Sequence, residues 1–142
     1  MYVKVVNNSA ADFPYNIGNL KRDNSNISFP NPLTEDILAG FNVYPVTPTA
    51  APEYDNKTHR ARKGVELIDG IWTQTWSLQE LPEQQASDNI RYERDRRLVK
   101  SDWSQLSDAP VDAAAWATYR QALRDLPFQD GFPFNITWPT QP

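Results

Sequence analysis

The chain has 142 residues, no cysteine, one histidine and a formal net charge of −4 at pH 7. The missing cysteines exclude disulfides and thiolate sites, and a single histidine excludes a multi-histidine metal site, so we expect no cofactor. The acidic balance disfavours nucleic acid as a partner. No stretch approaches the roughly 20 apolar residues that span a bilayer, and the amino terminus has no apolar run long enough for a signal peptide, so we expect no membrane contact and synthesis in a cytoplasm.

The amino-terminal part of the chain predicts short strands. Residues 2–6 alternate in polarity and are rich in valine, which favours a strand, and residues 7–9 form a turn before a second short strand at 11–14. Residues 43–46 are expected to be extended. The basic segment 57–63 is expected to be turn-like.

An Asp-Gly pair at residues 69–70 lies between two apolar runs and predicts a two-residue hairpin. The flanking strands are expected at 65–68 and 71–78. Because side chains alternate along a strand, Trp72 and Trp76 should lie on the same side of it. Hairpin signals dominate this half of the chain and no long crossover is visible, so the sheet is expected to be antiparallel.

Two short helices are expected among these strands. Asn16 is placed to cap the first, which continues to about Asp23. Thr34 is placed to cap the second, which carries carboxylates in its first turn and ends near Gly40.

Two longer helices are predicted beyond a boundary at residues 81–83. Residues 83–100 contain neither glycine nor proline and form a polar helix with a narrow apolar stripe. The helix buries too little by itself to be held by its own chain. We therefore expect a partner or a second copy of the chain to contact it along Ile90, Leu98 and Val99.

The second long helix spans residues 113–126, after a turn between Trp103 and Pro110. Its apolar side chains recur at helical spacing and share one face; they are Trp116, Tyr119, Leu123 and Leu126. Two interpretations remain open for this face, which either packs as a core against the preceding helix and the tail or contacts a partner.

The predicted fold is a small α+β protein. Residues 1–80 form an antiparallel β lobe with short helices. Residues 83–142 form a helical hairpin followed by an extended C-terminal tail.

No catalytic motif is present. His59 lies in a basic segment with no neighbouring nucleophile motif, and neither of the glycine-rich phosphate-binding patterns occurs. The arginines at the end of the first long helix are interspersed with carboxylates, which is typical of a solvated face. We expect no enzymatic activity; an enzyme whose aromatic residues stack on carbohydrate is the remaining alternative from another class.

The most specific pattern lies near the carboxyl terminus. A DWSQL turn at 102–106 precedes the AAAWATYRQALRDL helix, and the chain then closes on GFPFNITWP at 131–139. Over residues 94–139 this order resembles the carboxyl-terminal region of tailed-phage tail assembly chaperones and tail-fibre assembly proteins. Several segments of the first eighty residues also look like the opening of small phage tail proteins found beside fibre genes.

The resemblance implies a non-enzymatic factor that binds a tail-fibre or tail protein in the host cytoplasm during assembly, either leaving afterwards or remaining on the virion tail. The alternative is a structural virion component, such as a baseplate, fibre-adaptor or decoration subunit. An oligomer is compatible with either role. Because Trp and Arg dominate interface energetics, we expect the partner to be bound by Ile90, Arg97, Leu98, Trp103, Arg120, Arg124, Trp138 and Pro139.

Overall fold

The structure is a computed structural model that describes residues 1–142 and divides into two compact units. Unit 1 consists of Met1–Glu53 and Ala61–Ser77, and unit 2 of Tyr54–Arg60 and Leu78–Pro142. The protein combines small antiparallel sheets with helices, which confirms the predicted α+β class. The division into domains at residues 81–83 stays a prediction, because compactness alone does not demonstrate independent folding.

Unit 1 contains a three-stranded antiparallel sheet with β1 (Tyr2–Val6) between β2 (Ser9–Tyr15) and β3 (Val43–Pro45). A two-residue turn joins β1 to β2, and its residues Asn7 and Asn8 have positive φ angles of 49° and 62°. Asparagine tolerates this left-handed conformation better than most residues, and the right-handed twist of a hairpin requires it. The second strand is longer than predicted, because it pairs with β1 along its length.

Two helices pack on this sheet at the predicted positions. The first, α1 (Ile17–Asp23), is capped by the Asn16 side chain, which accepts a hydrogen bond of 2.9 Å from the Asn19 N–H. The second, α2 (Glu35–Gly40), follows Thr34, whose hydroxyl makes no capping bond. The acidic first turn of α2 favours the helix start through its dipole.

The core of unit 1 has two clusters. One joins both helices to the sheet and contains Tyr15, Leu20, Leu38 and Val43. The other contains Val3, Val5 and Val46, with Trp72 packed against it. Tyr15 is only 2% exposed and its hydroxyl donates a 2.7 Å hydrogen bond to Asp23 Oδ2, which connects the end of β2 to the end of α1.

We expect Tyr15 to lose its proton only at high pH. Burial, together with its hydrogen bond to Asp23, raises the pKa of Tyr15 to about 12 from 10.0. The buried phenol is favoured in its neutral form, so its contribution to stability is present below the unfolded-state pKa and is lost as pH rises through the folded-state pKa. Ultraviolet titration should show a late tyrosinate step from Tyr15, at a pH of about 12. The late step should vanish in Tyr15→Phe, and its persistence there would contradict the assignment.

The predicted hairpin is present, formed by β4 (His59–Ile68) and β5 (Ile71–Glu80). Its turn residues Asp69 and Gly70 have φ angles of 50° and 79°, as a two-residue hairpin turn requires. Both strands are longer than predicted. The turn-like prediction for residues 57–63 is wrong from His59 onward, because pairing with β5 extends the ladder into this basic segment.

Unit 2 is built on two helices, α3 (Glu83–Lys100) and α4 (Ala113–Asp125), whose predicted positions are confirmed. The connection between them begins with a 3-10 helix at Asp102–Gln105. The side chain of Asp112 caps α4 by accepting hydrogen bonds of 3.0 Å from the backbone N–H groups of two alanines. None of the helices in the chain has the combination of length and apolar content needed to cross a membrane.

The core of unit 2 lies on the aromatic face of α4. It consists of Trp116, Tyr119, Leu123 and Leu126, and the partly buried side chains packed against it include Leu98 and Trp138. Of the two interpretations left open for this face, core packing is therefore the one realised. The inner side of α3 is also covered, because Ala86 and Ile90 are at most 1% exposed.

The tail departs from its predicted extended form. Residues 130–134 form turns, and only the residues after 135 lack regular structure. The Gln129 amide holds the tail in place, since its Nε2 donates to Thr137 O at 3.0 Å and its Oε1 accepts from Thr137 N at 2.8 Å. This clamp lets Ile136 and Trp138 pack against the core.

Candidate partner-binding surface of unit 2

Arg120 connects α4 to the carboxyl end of α3. Its Nη1 donates to Leu98 O at 2.6 Å and to Ser101 Oγ at 2.7 Å, and its Nη2 donates to Asp102 Oδ1 at 2.8 Å. The residue is 8% exposed. A cation at this position also interacts favourably with the negative end of the α3 dipole. Arg120 is thus an internal cross-link.

Arg97 connects α3 to the tail. Its guanidinium lies 4.0 Å from the Trp138 ring centroid, and its Nε donates to Glu93 Oε1 at 3.1 Å. Burial alone would raise the pKa of Glu93, but the hydrogen bond from Arg97 and the surrounding positive charges lower it overall. The resulting stability is present above the unfolded-state pKa and is lost as the pH falls through the folded-state pKa.

A small groove opens between the end of α3 and α4, and we name it the Trp103 groove. Its volume is about 320 Å³ and its lining side chains are Arg97, Lys100, Ser101, Trp103, Trp116, Tyr119 and Gln141. Trp103 stands edge-on to Trp116 with ring centroids 5.3 Å apart, and it remains 46% exposed while Trp116 is only 7% exposed. One indole is therefore part of the core and the other is part of the surface.

A second depression, of about 390 Å³, lies on the solvent side of α3, and we name it the α3 outer face. Tyr92 and Val99 are its apolar members and are 70% and 69% exposed. The charged members are Asp95, Arg96 and Lys100. Lys100 also lines the Trp103 groove, so the two surfaces adjoin.

The predicted partner-binding residues divide into accessible and covered ones. Trp103 and Arg124 are exposed, whereas Arg97, Leu98, Trp138 and Pro139 are half-buried. Ile90 is 1% exposed and Arg120 is 8% exposed, so both are covered by the chain itself rather than facing a partner. Ile90 lies on the inner side of α3, and the Arg120 guanidinium is occupied by its hydrogen bonds to the end of that helix. Partner binding by the accessible residues stays a prediction.

Three exposed apolar side chains were not expected from the sequence. Leu106 is 61% exposed and Phe128 is 83% exposed, and Tyr92 was assigned no role. A helical wheel could have found Tyr92, because it lies seven residues before Val99 and opposite Ile90. No local pattern indicates the exposure of Phe128, since the preceding Leu126 in the same short turn is fully buried.

No group of three or more histidine or carboxylate side chains lies close enough to bind a metal ion. His59 is half-buried: its Nδ1 lies 2.8 Å from Thr58 Oγ1 and its ring packs edge-on to Phe134. The two surface depressions of unit 2 are lined by aromatic, aliphatic and cationic side chains, and not by a group of metal ligands.

Comparison with known proteins finds a similarity in the carboxyl-terminal region. A family model for phage tail assembly chaperone proteins matches residues 87–142, which confirms the resemblance predicted over 94–139. A search of the curated proteins and one of the solved structures gave no match. The matched region includes most of α3, the Trp103 groove and the tail. The carboxyl-terminal part of this chain is therefore similar to phage tail assembly chaperone proteins, which supports a role in bacteriophage tail assembly and suggests a non-enzymatic one.

Proposed function

We propose that this protein is a non-enzymatic assembly factor that binds a phage tail or tail-fibre protein through the α3 outer face, in the host cytoplasm during assembly. The observation that carries the proposal is the exposure of Tyr92 and Val99, at 70% and 69%, within the region similar to tail assembly chaperones. Exposed patches of large apolar side chains with a polar rim mark surfaces that contact another protein.

The α3 outer face is supported from behind. Ile90 is buried on the opposite side of the helix, and Asn89 Nδ2 donates a 2.9 Å hydrogen bond to Lys57 O. The helix is therefore ordered before a partner arrives, so binding does not have to offset the entropy of forming it. This support favours a preformed recognition surface over the coupled folding and binding expected from the polar composition of the helix.

Charged side chains surround the apolar pair and are mostly neutralised. Asp95 lies 2.7 Å from Arg94, and Arg96 lies 3.0 Å from Glu93. Exposed pairs of this kind contribute little to stability. They keep the free protein soluble and would form the polar rim around a contact centred on Tyr92 and Val99.

Replacing Tyr92 and Val99 together with serine should reduce binding of the partner at least about tenfold, because the anchors of an interface carry most of its energy. The cognate fibre or tail gene from the same phage would be co-expressed with this protein, and the amount of soluble fibre and of the purified complex would be measured. Tyr54→Ser is the matched control, because Tyr54 also belongs to unit 2 and is 42% exposed. Equal yields from the double variant and the wild type would refute the assignment of the surface.

Retention on the particle is the point that separates an assembly factor from a structural subunit. Mass spectrometry of purified virions tests it directly. A protein that assists assembly and leaves should be absent from finished particles, whereas a baseplate, adaptor or decoration subunit should be present at fixed stoichiometry. The second result would replace the assembly-factor proposal by the structural one.

A further inference from the structure

Several hydrogen-bond donors that line the Trp103 groove have no acceptor within the chain. Lys100 has no carboxylate within 4.0 Å, and Arg97 is paired with Glu93 only through its Nε. The indole N–H groups of Trp103 and Trp116 make no hydrogen bond within the chain, and every buried polar side-chain atom is paired, so these donors remain reachable by solvent. A ligand with carboxylates beside an apolar group would satisfy them.

Unit 2 carries a feature with that chemistry on another part of its surface, and we name it the Phe128 knob. Phe128 ends the 3-10 helix Leu126–Phe128 and is 83% exposed, more than any other large hydrophobic side chain in the protein. Asp125 and Asp130 flank it in sequence, are exposed, and form no ion pair.

The backbone on both sides of Phe128 is held rigidly, which favours insertion of the phenyl ring into a groove. Leu126, two residues before Phe128, is fully buried in the core, and Pro127 restricts the backbone between them. Gln129, the next residue, is fixed by its two hydrogen bonds to Thr137. An anchored aromatic side chain loses little conformational freedom when it binds.

We propose that the Phe128 knob of one copy of the chain docks in the Trp103 groove of a second copy. The phenyl ring would pack on the exposed face of Trp103, and Asp125 and Asp130 would approach Lys100 and Arg97. The groove volume of about 320 Å³ suits one side chain and its neighbours rather than a whole secondary-structure element. Charge complementarity favours this occupant, because the groove is cationic and the knob carries two carboxylates without an ion pair, of which Asp125 accepts only a 3.0 Å hydrogen bond from the neutral Gln121 amide.

The contact is heterologous, since the two surfaces differ. A docked pair retains one free knob and one free groove, so association continues into a closed ring or an open chain instead of stopping at a symmetric dimer. The proposal is independent of tail-protein binding at the α3 outer face, and either can fail without the other.

Mixing two variants of the full-length protein tests the contact. Lys100→Glu disables the groove and Phe128→Ser disables the knob, and both positions are exposed, so each variant should fold, as checked by circular dichroism. Sedimentation equilibrium up to millimolar concentration should show the wild type forming species larger than a dimer. Each variant alone should associate at least about tenfold more weakly, because rim charges and anchor aromatics both contribute to affinity.

The equimolar mixture of the two variants should form a one-to-one dimer and nothing larger, because it contains one intact groove and one intact knob per pair. The combination Lys100→Glu with Asp130→Lys in one chain should restore association by exchanging the charges. A wild type that stays monomeric would assign the groove to another occupant and overturn the proposal. Variants that associate like the wild type, or a mixture that stays monomeric, would overturn it equally.

Discussion

Replacing Arg120 with alanine is expected to destabilise unit 2 by at least about 3 kcal/mol. The change removes hydrogen bonds from a buried guanidinium to Leu98 O and to Ser101 Oγ. Hydrogen bonds to charged groups are worth about 1.5–3 kcal/mol each. The third bond, to Asp102, adds less, because that carboxylate is 61% exposed and is screened by water.

The measurement is urea or thermal denaturation followed by circular dichroism, with Arg124→Ala as the matched control. Arg124 lies one turn further along α4 and is exposed, so its removal should change stability by no more than about 0.5 kcal/mol. Arg120→Lys should be intermediate, because a single ammonium cannot reproduce the planar fork that reaches several acceptors. Similar stabilities for the two alanine variants would contradict the cross-linking role.

Because Arg120 supports α3 from inside the protein, a loss of partner binding in Arg120→Ala does not by itself show a direct contact. If Arg120→Ala weakens binding of a tail or fibre protein, loss of the support for α3 explains it without any direct contact. Arg124→Ala is the informative substitution for a direct arginine contact, since its side chain is accessible. Unchanged binding by Arg124→Ala would leave the α3 outer face as the proposed contact.

Replacing Trp116 with alanine is expected to destabilise unit 2 by about 3–5 kcal/mol, the usual cost of removing a buried aromatic side chain. Trp116 is 7% exposed and stands between two other rings, with centroids 5.3 Å from Trp103 and 5.8 Å from Tyr119. The cavity left by its removal would be bounded by these rings and by the end of α3, so the surroundings can collapse only partly.

Trp103→Ala is the control within the same aromatic group. Trp103 is 46% exposed, so its removal loses the edge-to-face contact, worth about 0.5–1.5 kcal/mol, and the burial of only about half of its surface, and it should cost less than the removal of Trp116. Denaturation curves of the two variants should therefore be clearly separated. If Trp103→Ala proved as damaging as Trp116→Ala, Trp103 would be structural and the groove would lose its role as a free surface.

Local sequence patterns determined most of the secondary structure. The limits of α3 and α4 follow from the absence of glycine and proline, from helical periodicity and from the Asp112 cap, all of which act within a few residues. The turn at Asp69 and Gly70 is equally local, because its positive φ angles depend on the residue types themselves. The order of rare residues near the carboxyl terminus is likewise a property of the sequence, and it indicates the same tail assembly family that the family model matches.

Only the tertiary structure decided which side chains are free to bind. Ile90 and Arg120 were expected to contact a partner, yet Ile90 is buried within the chain and hydrogen bonds to the end of α3 occupy Arg120. Phe128 is exposed although Leu126, two residues earlier in the same short helix, is fully buried. Burial depends on contacts between segments distant in sequence, and such contacts leave no mark in the spacing of a single segment. The sequence by itself therefore determined most of the helices and strands and the similarity of the carboxyl-terminal region to tail assembly chaperones, while the tertiary structure decided which side chains are exposed on the surface.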